Sequence, residues 1–265
     1  MRPASARSPS RPPPASSSFV RRATAANADA PTAHPRLACL VKLGGALITD
    51  KLKDETLRAH ALRETARHLA IAYRESSASG SGGAGLVVVH GAGSYGHFPA
   101  RKYGIARGGD LRTDPTLRQG LCVTRLRVSK LHALVLEALV EAGVPATGLP
   151  PFAAPWGPTG GPGVVAPHRS AAACDRIADC LSAGLVPVLY GDCVLDDRQG
   201  CAILSGDVLM REVAGALRPQ RAVFLTDVDG VFDRPPEEPG ARVGVGGGVL
   251  LLRCVWAGRG RERRT

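Results

Sequence analysis

The stretch Leu86-Val87-Val88-Val89-His90-Gly91-Ala92-Gly93-Ser94-Tyr95-Gly96-His97 decides the architecture of this chain. Its unbroken aliphatic start, with no polar alternation, describes a strand buried on both faces, as in a parallel sheet covered by helices. The strand runs into closely spaced glycines, and in open parallel sheets ligands gather where strands end. Outward from it the pattern repeats. Leu37–Leu43 is an apolar run ending at Gly44-Gly45, Leu185–Tyr190 ends at Gly191, and Ala222–Thr226 is a further run. Helical spacing fills the intervals at 55–73 (Leu57, Ala61, Leu62, Ala66, Leu69, Ala70) and 115–142 (Leu117, Leu121, Leu131, Leu134, Val135, Leu139), then at 170–182 and 207–217. Val144–Thr147 begins another strand, and a hairpin is expected around Asp196–Gly200. Strands alternating with helices predict an α/β fold, a three-layer αβα sandwich around a mostly parallel sheet.

The chain has 265 residues, 44% of them hydrophobic and 4% aromatic, enough for one aliphatic core. No apolar run approaches the roughly 18 residues a membrane span requires, so no membrane partner is expected. The net charge of +11 suggests a polyanion partner until its distribution is read. Residues 1–36 hold six Arg against one Asp, and 241–265 six Arg against one Glu, leaving 22 basic and 21 acidic residues between them. A nucleic-acid surface needs basic residues clustered on the folded body, so none is expected. Seven scattered cysteines (39, 122, 174, 180, 193, 201, 254), never spaced C-x-x-C, argue for reduced core thiols over a disulfide framework or a zinc site.

Residues 1–36, rich in Ser, Pro and Arg, form either a disordered tail or a targeting segment. The compartment follows: cytoplasm, or plastid or mitochondrion if this is a transit peptide. The folded domain is expected over 37–241, and 242–265 reads as an atypical basic tail with no helix or strand continuing the alternation.

Three places where a strand meets glycine are candidates for one site. In Lys42-Leu43-Gly44-Gly45-Ala46, with Thr49-Asp50-Lys51 soon after, glycines admit phosphate oxygens to the backbone and lysines supply positive charge; a tight turn with a solvated lysine has the same pattern. The opening stretch contains a literal G-x-G-x-x-G at Gly91, Gly93 and Gly96. A dinucleotide turn, however, needs a helix at once and an acid after the next strand. The following His97-Phe98-Pro99-Ala100, broken by Pro and then Gly104, offers neither. The third place comprises Tyr190-Gly191-Asp192, Leu204-Ser205-Gly206-Asp207 and Leu225-Thr226-Asp227-Val228-Asp229-Gly230-Val231. Asp207 alone could be a helix N-cap, and Asp227 and Asp229 turn formers.

Taken together and in this order, these motifs resemble the amino acid kinase family over about residues 37 to 241, most closely its isopentenyl phosphate kinases. Lys42-Leu43-Gly44-Gly45 and Thr226-Asp227-Val228-Asp229-Gly230 belong to the family broadly, whereas the histidine ending Gly93-Ser94-Tyr95-Gly96-His97 is the specific mark. The resemblance implies transfer of the γ-phosphoryl of ATP, with Mg²⁺, to isopentenyl phosphate. It implies that Lys42 and Lys51 neutralise the phosphoryl group and that Asp207 orients both lysines. His97 donates to the acceptor phosphate, with Ala92 and Gly191 against that substrate. Lys42, Leu43, Gly44, Gly45, Ala46, Gly93, Thr226, Asp227, Gly230 and Val231 border ATP. No residue is assigned to bind a metal directly. A homodimer paired through the N-terminal halves is also implied, and the prenyl pocket is expected among helices after His97. His68, His132 and His168 match nothing. Family members continue past the position of Gly240 with a Thr-Gly-Gly-Met segment and a lysine that contacts ATP, which this chain lacks. The expectation is a weakly stable chain, with its turnover left open. The alternatives are another small-molecule kinase of the family, or a non-catalytic isoform that binds without turnover.

Overall fold

Six strands build the central sheet of the computed structural model, which describes residues 37–78, 85–153, 156–157, 159–226, 240 and 249–253. They are β1 (Leu37–Leu43), β2 (Gly85–His90), β3 (Ala146–Gly148), β4 (Val186–Tyr190), β7 (Arg221–Thr226) and β8 (Val249–Arg253). Their order is β3-β4-β2-β1-β7-β8, and every neighbouring pair is parallel. A hairpin of β5 (Asp192–Asp196) and β6 (Gly200–Leu204) stands beside the sheet, where the turn residues placed it.

Alternation along the strands sorts the core into two layers. Val41 and Leu43 of β1, Val88 of β2, Val188 of β4 and Leu225 of β7 face one way. They pack on α1 (Gly45–Ile48), α2 (Ala59–Ala78), α3 (Gly93–Lys102) and α4 (Pro115–Glu141). Leu40, Val87, Val89 and Leu189 face the other way, onto α5 (Pro167–Ser182), α6 (Gly206–Leu217), Trp156 and the hairpin. This is the three-layer αβα sandwich expected. The long helix starts cleanly because Pro115 sits at its first turn and the Asp114 carboxylate accepts from Leu117 N–H at 2.8 Å. Among the described residues no helix is long and apolar enough to cross a membrane.

Three elements differ from the sequence expectations. Residues 93–102 are helical despite Pro99, because burial of Tyr95, Gly96, Pro99 and Ala100 outweighs one missing N–H. A Cβ on Gly96 would sit 3.0 Å from Val128 Cγ2, so the two helices are in close contact there. A helix therefore does follow the glycines, and it is the missing acid after β3 that still separates this turn from a dinucleotide fingerprint. Second, Val249–Arg253, in the region read as offering no strand, pairs with β7 in register Ala222↔Val249 to Thr226↔Arg253; an apolar run beside an unpaired edge is a natural strand partner. Third, the helix expected from 55 starts at Ala59, since Thr49 and Leu57 bridge and hold 50–56 in a turn. The 1–36 tail, residues 79–84 of the Gly/Ser loop, Asp227, Gly230 and Val231, and 254–265 lie outside the described residues.

Candidate active site

Each glycine turn is pinned by the neighbouring strand. Gly44 N–H donates to Leu225 O (2.8 Å), Gly91 N–H to Leu43 O (2.9 Å) and Gly191 N–H to His90 O (3.0 Å). The parallel ladder thus runs on past the strands and brings three chain-distant turns to one edge. Two of them touch backbone to backbone: a Cβ on Gly45 would lie 2.6 Å from Gly93 N and 2.7 Å from its Cα. Gly93 has φ +51°, which also favours glycine. Gly45→Ala is expected to cost roughly 1–3 kcal/mol, because backbone cannot yield as a side chain would. Gly215→Ala, where a Cβ meets nothing within 4 Å, is the matched control. It should be neutral or stabilise by up to about 1 kcal/mol in its helix; equal urea midpoints for the two variants would sink the argument.

A cavity of about 190 Å³ opens at this edge. Lys42, Gly45, Ala46, Gly91, Ala92, Gly93, His97, Gly191, Ser205, Gly206 and Asp207 line it. Ala100, Val128, Cys193 and Ile203 line the remainder with Gly96, Thr124 and Asp192. The N-termini of α3 and α6 both border it, and a helix N-terminus favours an anion. Lys42 Nζ is ion-paired with Asp207, the lysine side chain 17% exposed and the aspartate 70%. The α6 N-cap is Ser205, whose Oγ accepts from Val208 N–H at 3.2 Å. The capping role open to Asp207 is thereby filled, and its carboxylate goes to the lysine.

The expected site residues divide accordingly. Lys42, Gly45, Ala46, Ala92, Gly93, His97, Gly191 and Asp207 meet at the cavity. Leu43 is buried in β1, and Gly44 lies against Thr226, where a Cβ would meet Thr226 Cα at 3.7 Å. Lys51 sits on an exposed turn and is not among the lining residues. That turn is tied to α4 by Arg127 with Asp54 (2.8 Å) and Lys130 with Glu55 (2.6 Å). Among the lining residues, sequence reasoning gave no role to Thr124, Val128, Asp192, Ser205, Gly206 or Ile203. Asp192, Ser205 and Gly206 were legible within the quoted motifs, whereas Thr124 and Val128 look like any other positions on an amphipathic helix face.

Behind the Gly91 turn lies a buried pair that the sequence left unassigned. His90 Nδ1 is 3.0 Å from Gly91 O, and since a carbonyl only accepts, this nitrogen donates. His90 Nε2 is then the acceptor for His132 Nδ1–H at 3.1 Å, which leaves His132 Nε2 buried without a partner. Tyr190 stacks on His90 with centroids 5.5 Å apart. Burial lowers both rings, His90 to about 4 against a weak pull upward from the Gly91 carbonyl, and His132 to about 3 with His90 adding to the effect. Asp192 moves oppositely: burial, opposed by Arg125 and by the Cys193 N–H, pushes its carboxyl up to about 6.

A strand-linked set of glycine turns, a lysine–aspartate pair and two helix N-termini around one cleft define a phosphate-handling α/β enzyme. The model of the amino acid kinase family matches residues 38–243, and the chain belongs to that family. Among its relatives is the isopentenyl phosphate kinase of Arabidopsis thaliana, 38% identical over 235 residues, spanning 77% of this chain and 68% of that one. Solved structures agree. X-ray structures of isopentenyl phosphate kinase match with TM-score 0.66 at 35% identity, covering 77% of this chain and 80% of the other. An isopentenyl phosphate kinase substrate complex matches with TM-score 0.62 at 30% identity, covering 77% and 78%.

Proposed function

We propose that this chain transfers the γ-phosphoryl group of ATP to isopentenyl phosphate, giving isopentenyl diphosphate. One observation carries this: a single cleft brings anion-binding groups (Lys42, His97 and the N-termini of α3 and α6) together with apolar side chains (Ala100, Val128, Cys193, Ile203). An acceptor with a phosphate head and a short hydrocarbon tail fits both. A glutamate or carbamate acceptor has no use for the apolar side chains.

A phosphate acceptor is ionised near neutral pH, so the chain need not supply a strong base. Its task is alignment and neutralisation of charge on the transferring group. Lys42 neutralises that charge, and Asp207 holds the ammonium in place. The touching Gly45 and Gly93 backbones bring the donor and acceptor loops together, and His97 donates to the acceptor phosphate. Among the described residues no group of three or more His, Cys, Asp or Glu side chains is placed to hold a metal. Mg²⁺ fits as an ion carried on the nucleotide phosphates, the usual arrangement for this cation, and when bound it supplies further charge neutralisation.

The test is His97→Ala, assayed with isopentenyl phosphate and ATP. Loss of a charge-assisted hydrogen bond predicts a fall of about 10- to 100-fold in kcat/KM for the acceptor, with KM for ATP changing less than about twofold. Unchanged acceptor kinetics would remove the assignment. A wild type that phosphorylates glutamate or carbamate instead would replace it with another kinase activity of the family.

A further inference from the structure

The cleft contains a carboxylate that phosphoryl transfer to a phosphate does not use. Asp192, the first residue of β5, has a side chain with no exposure, yet it lines the cavity. An anion entering beside a desolvated carboxylate is repelled, and repulsion in a low-dielectric wall is strong. What answers it is Arg125, one residue along α4 from the lining Thr124. Its Nε lies 3.4 Å from Asp192 Oδ2. The guanidinium sits over the Phe152 ring, 3.7 Å from the centroid, which fixes its plane and leaves its edge to the carboxylate. The other carboxylate oxygen accepts from Cys193 N–H at 2.8 Å, so Asp192 is held in place at the start of the hairpin.

We propose that Arg125 is a positioning residue for the acceptor: by cancelling the charge of Asp192 it keeps this wall neutral, so that a phosphorylated, apolar-tailed acceptor enters unopposed. This rests on assigning the cleft to isopentenyl phosphate. The same pairing bears on selectivity within the fold. A bare Asp192 would attract an ammonium group, as an amino-acid acceptor carries, and Arg125 denies it that partner. The role is electrostatic, and it acts through Asp192 without requiring Arg125 to touch the substrate.

The experiment compares four variants with the wild-type chain, by calorimetry with isopentenyl phosphate and by steady-state kinetics, at a pH high enough to keep Asp192 ionised once Arg125 no longer holds its carboxyl down. Arg125→Met is expected to weaken acceptor binding and raise its KM on the order of tenfold, with kcat and KM for ATP within about twofold. Arg125→Lys, which keeps the charge, retains most of the affinity. Asp192→Asn alone binds the acceptor more tightly, and Arg125→Met/Asp192→Asn returns to within about threefold of wild type because no buried charge is left unpaired. A merely structural role for Arg125 predicts a double variant no better than Arg125→Met, and that result overturns the proposal. So does a loss of acceptor affinity in Asp192→Asn, which decides the matter even if Arg125→Met does not fold. A wild type that ignores isopentenyl phosphate but takes another phosphomonoester overturns the substrate assignment instead, and the same series measured with that ester still decides Arg125.

Discussion

Lys42→Met is expected to lower kcat/KM for ATP-dependent phosphorylation of isopentenyl phosphate by roughly 10²–10³-fold, about 2.7–4 kcal/mol of transition-state stabilisation. The lysine reaches the cleft from the end of β1, its side chain only 17% exposed, with its ammonium held by Asp207 and lying 5.7 Å from the centre of the Phe224 ring. It is therefore fixed and partly desolvated before substrate arrives. Folding should suffer little. The Asp207 side chain is 70% exposed, and pairs of that kind contribute about 0–1 kcal/mol to stability. A methionine preserves most of the apolar stem. Activity and stability thus separate: a large kinetic loss with a nearly unmoved urea midpoint. Lys42→Arg should not rescue, because a planar fork does not replace a compact ammonium. Asp207→Asn should lose less than Lys42→Met, and the double variant little more than Lys42→Met alone, as expected of residues acting as a unit. Wild-type-like turnover in Lys42→Met would end this account of the cleft.

The second large effect is on acid stability. His90 and His132 titrate near 4 and 3 in the folded chain because burial disfavours the imidazolium. In the unfolded chain they take up protons near the ordinary value of about 6.5. Between those limits the unfolded state binds more protons. Stability is complete above the ordinary value and drains as pH falls, by about 1.4 kcal/mol per pH unit for each ring. Asp192 opposes this, since its folded value near 6 lies above the unfolded one. Its contribution is present at low pH and lost as pH rises through about 6, which offsets roughly one ring's slope below that point. The net expectation between about pH 7 and about pH 5 is a loss on the order of 3 kcal/mol, read as a falling urea midpoint. His132→Phe should roughly halve the histidine part of that slope. It should also carry a pH-independent cost of about 1–3 kcal/mol for stranding His90 Nε2. A slope identical to wild type in His132→Phe would show that the pair does not govern acid sensitivity.

The fold was legible wherever a single element announces itself by its own composition. The aliphatic runs at 37–43 and 86–90, each ending at glycine, read as doubly covered parallel strands. The hairpin at β5 and β6 followed from turn residues, and the long helix from its spacing. What was not legible depends on partners far away in sequence. Helix α3 forms across Pro99 because α4 covers it, and no local signal weighs a lost hydrogen bond against burial. The same holds for β8, whose pairing depends on the open edge of β7.

The site divides along the same line. The residue types a phosphate cleft needs, glycines at strand ends, Lys42, His97 and Asp207, stand in recognisable order along the chain, because each motif is a local solution to bringing backbone or charge to a phosphate. Their roles were ambiguous there. Asp207 could have been a cap until Ser205 was seen to fill that position. His132 looked idle until it met His90, and Asp192 had no role of its own until Arg125 faced it from α4. Sequence by itself determined which chemistry could be assembled, since composition and short-range spacing limit what a strand end can hold. Only the tertiary structure decided which charges meet and which stay buried, because pairing and desolvation act through space, between residues such as Arg125 and Asp192 that the chain holds far apart.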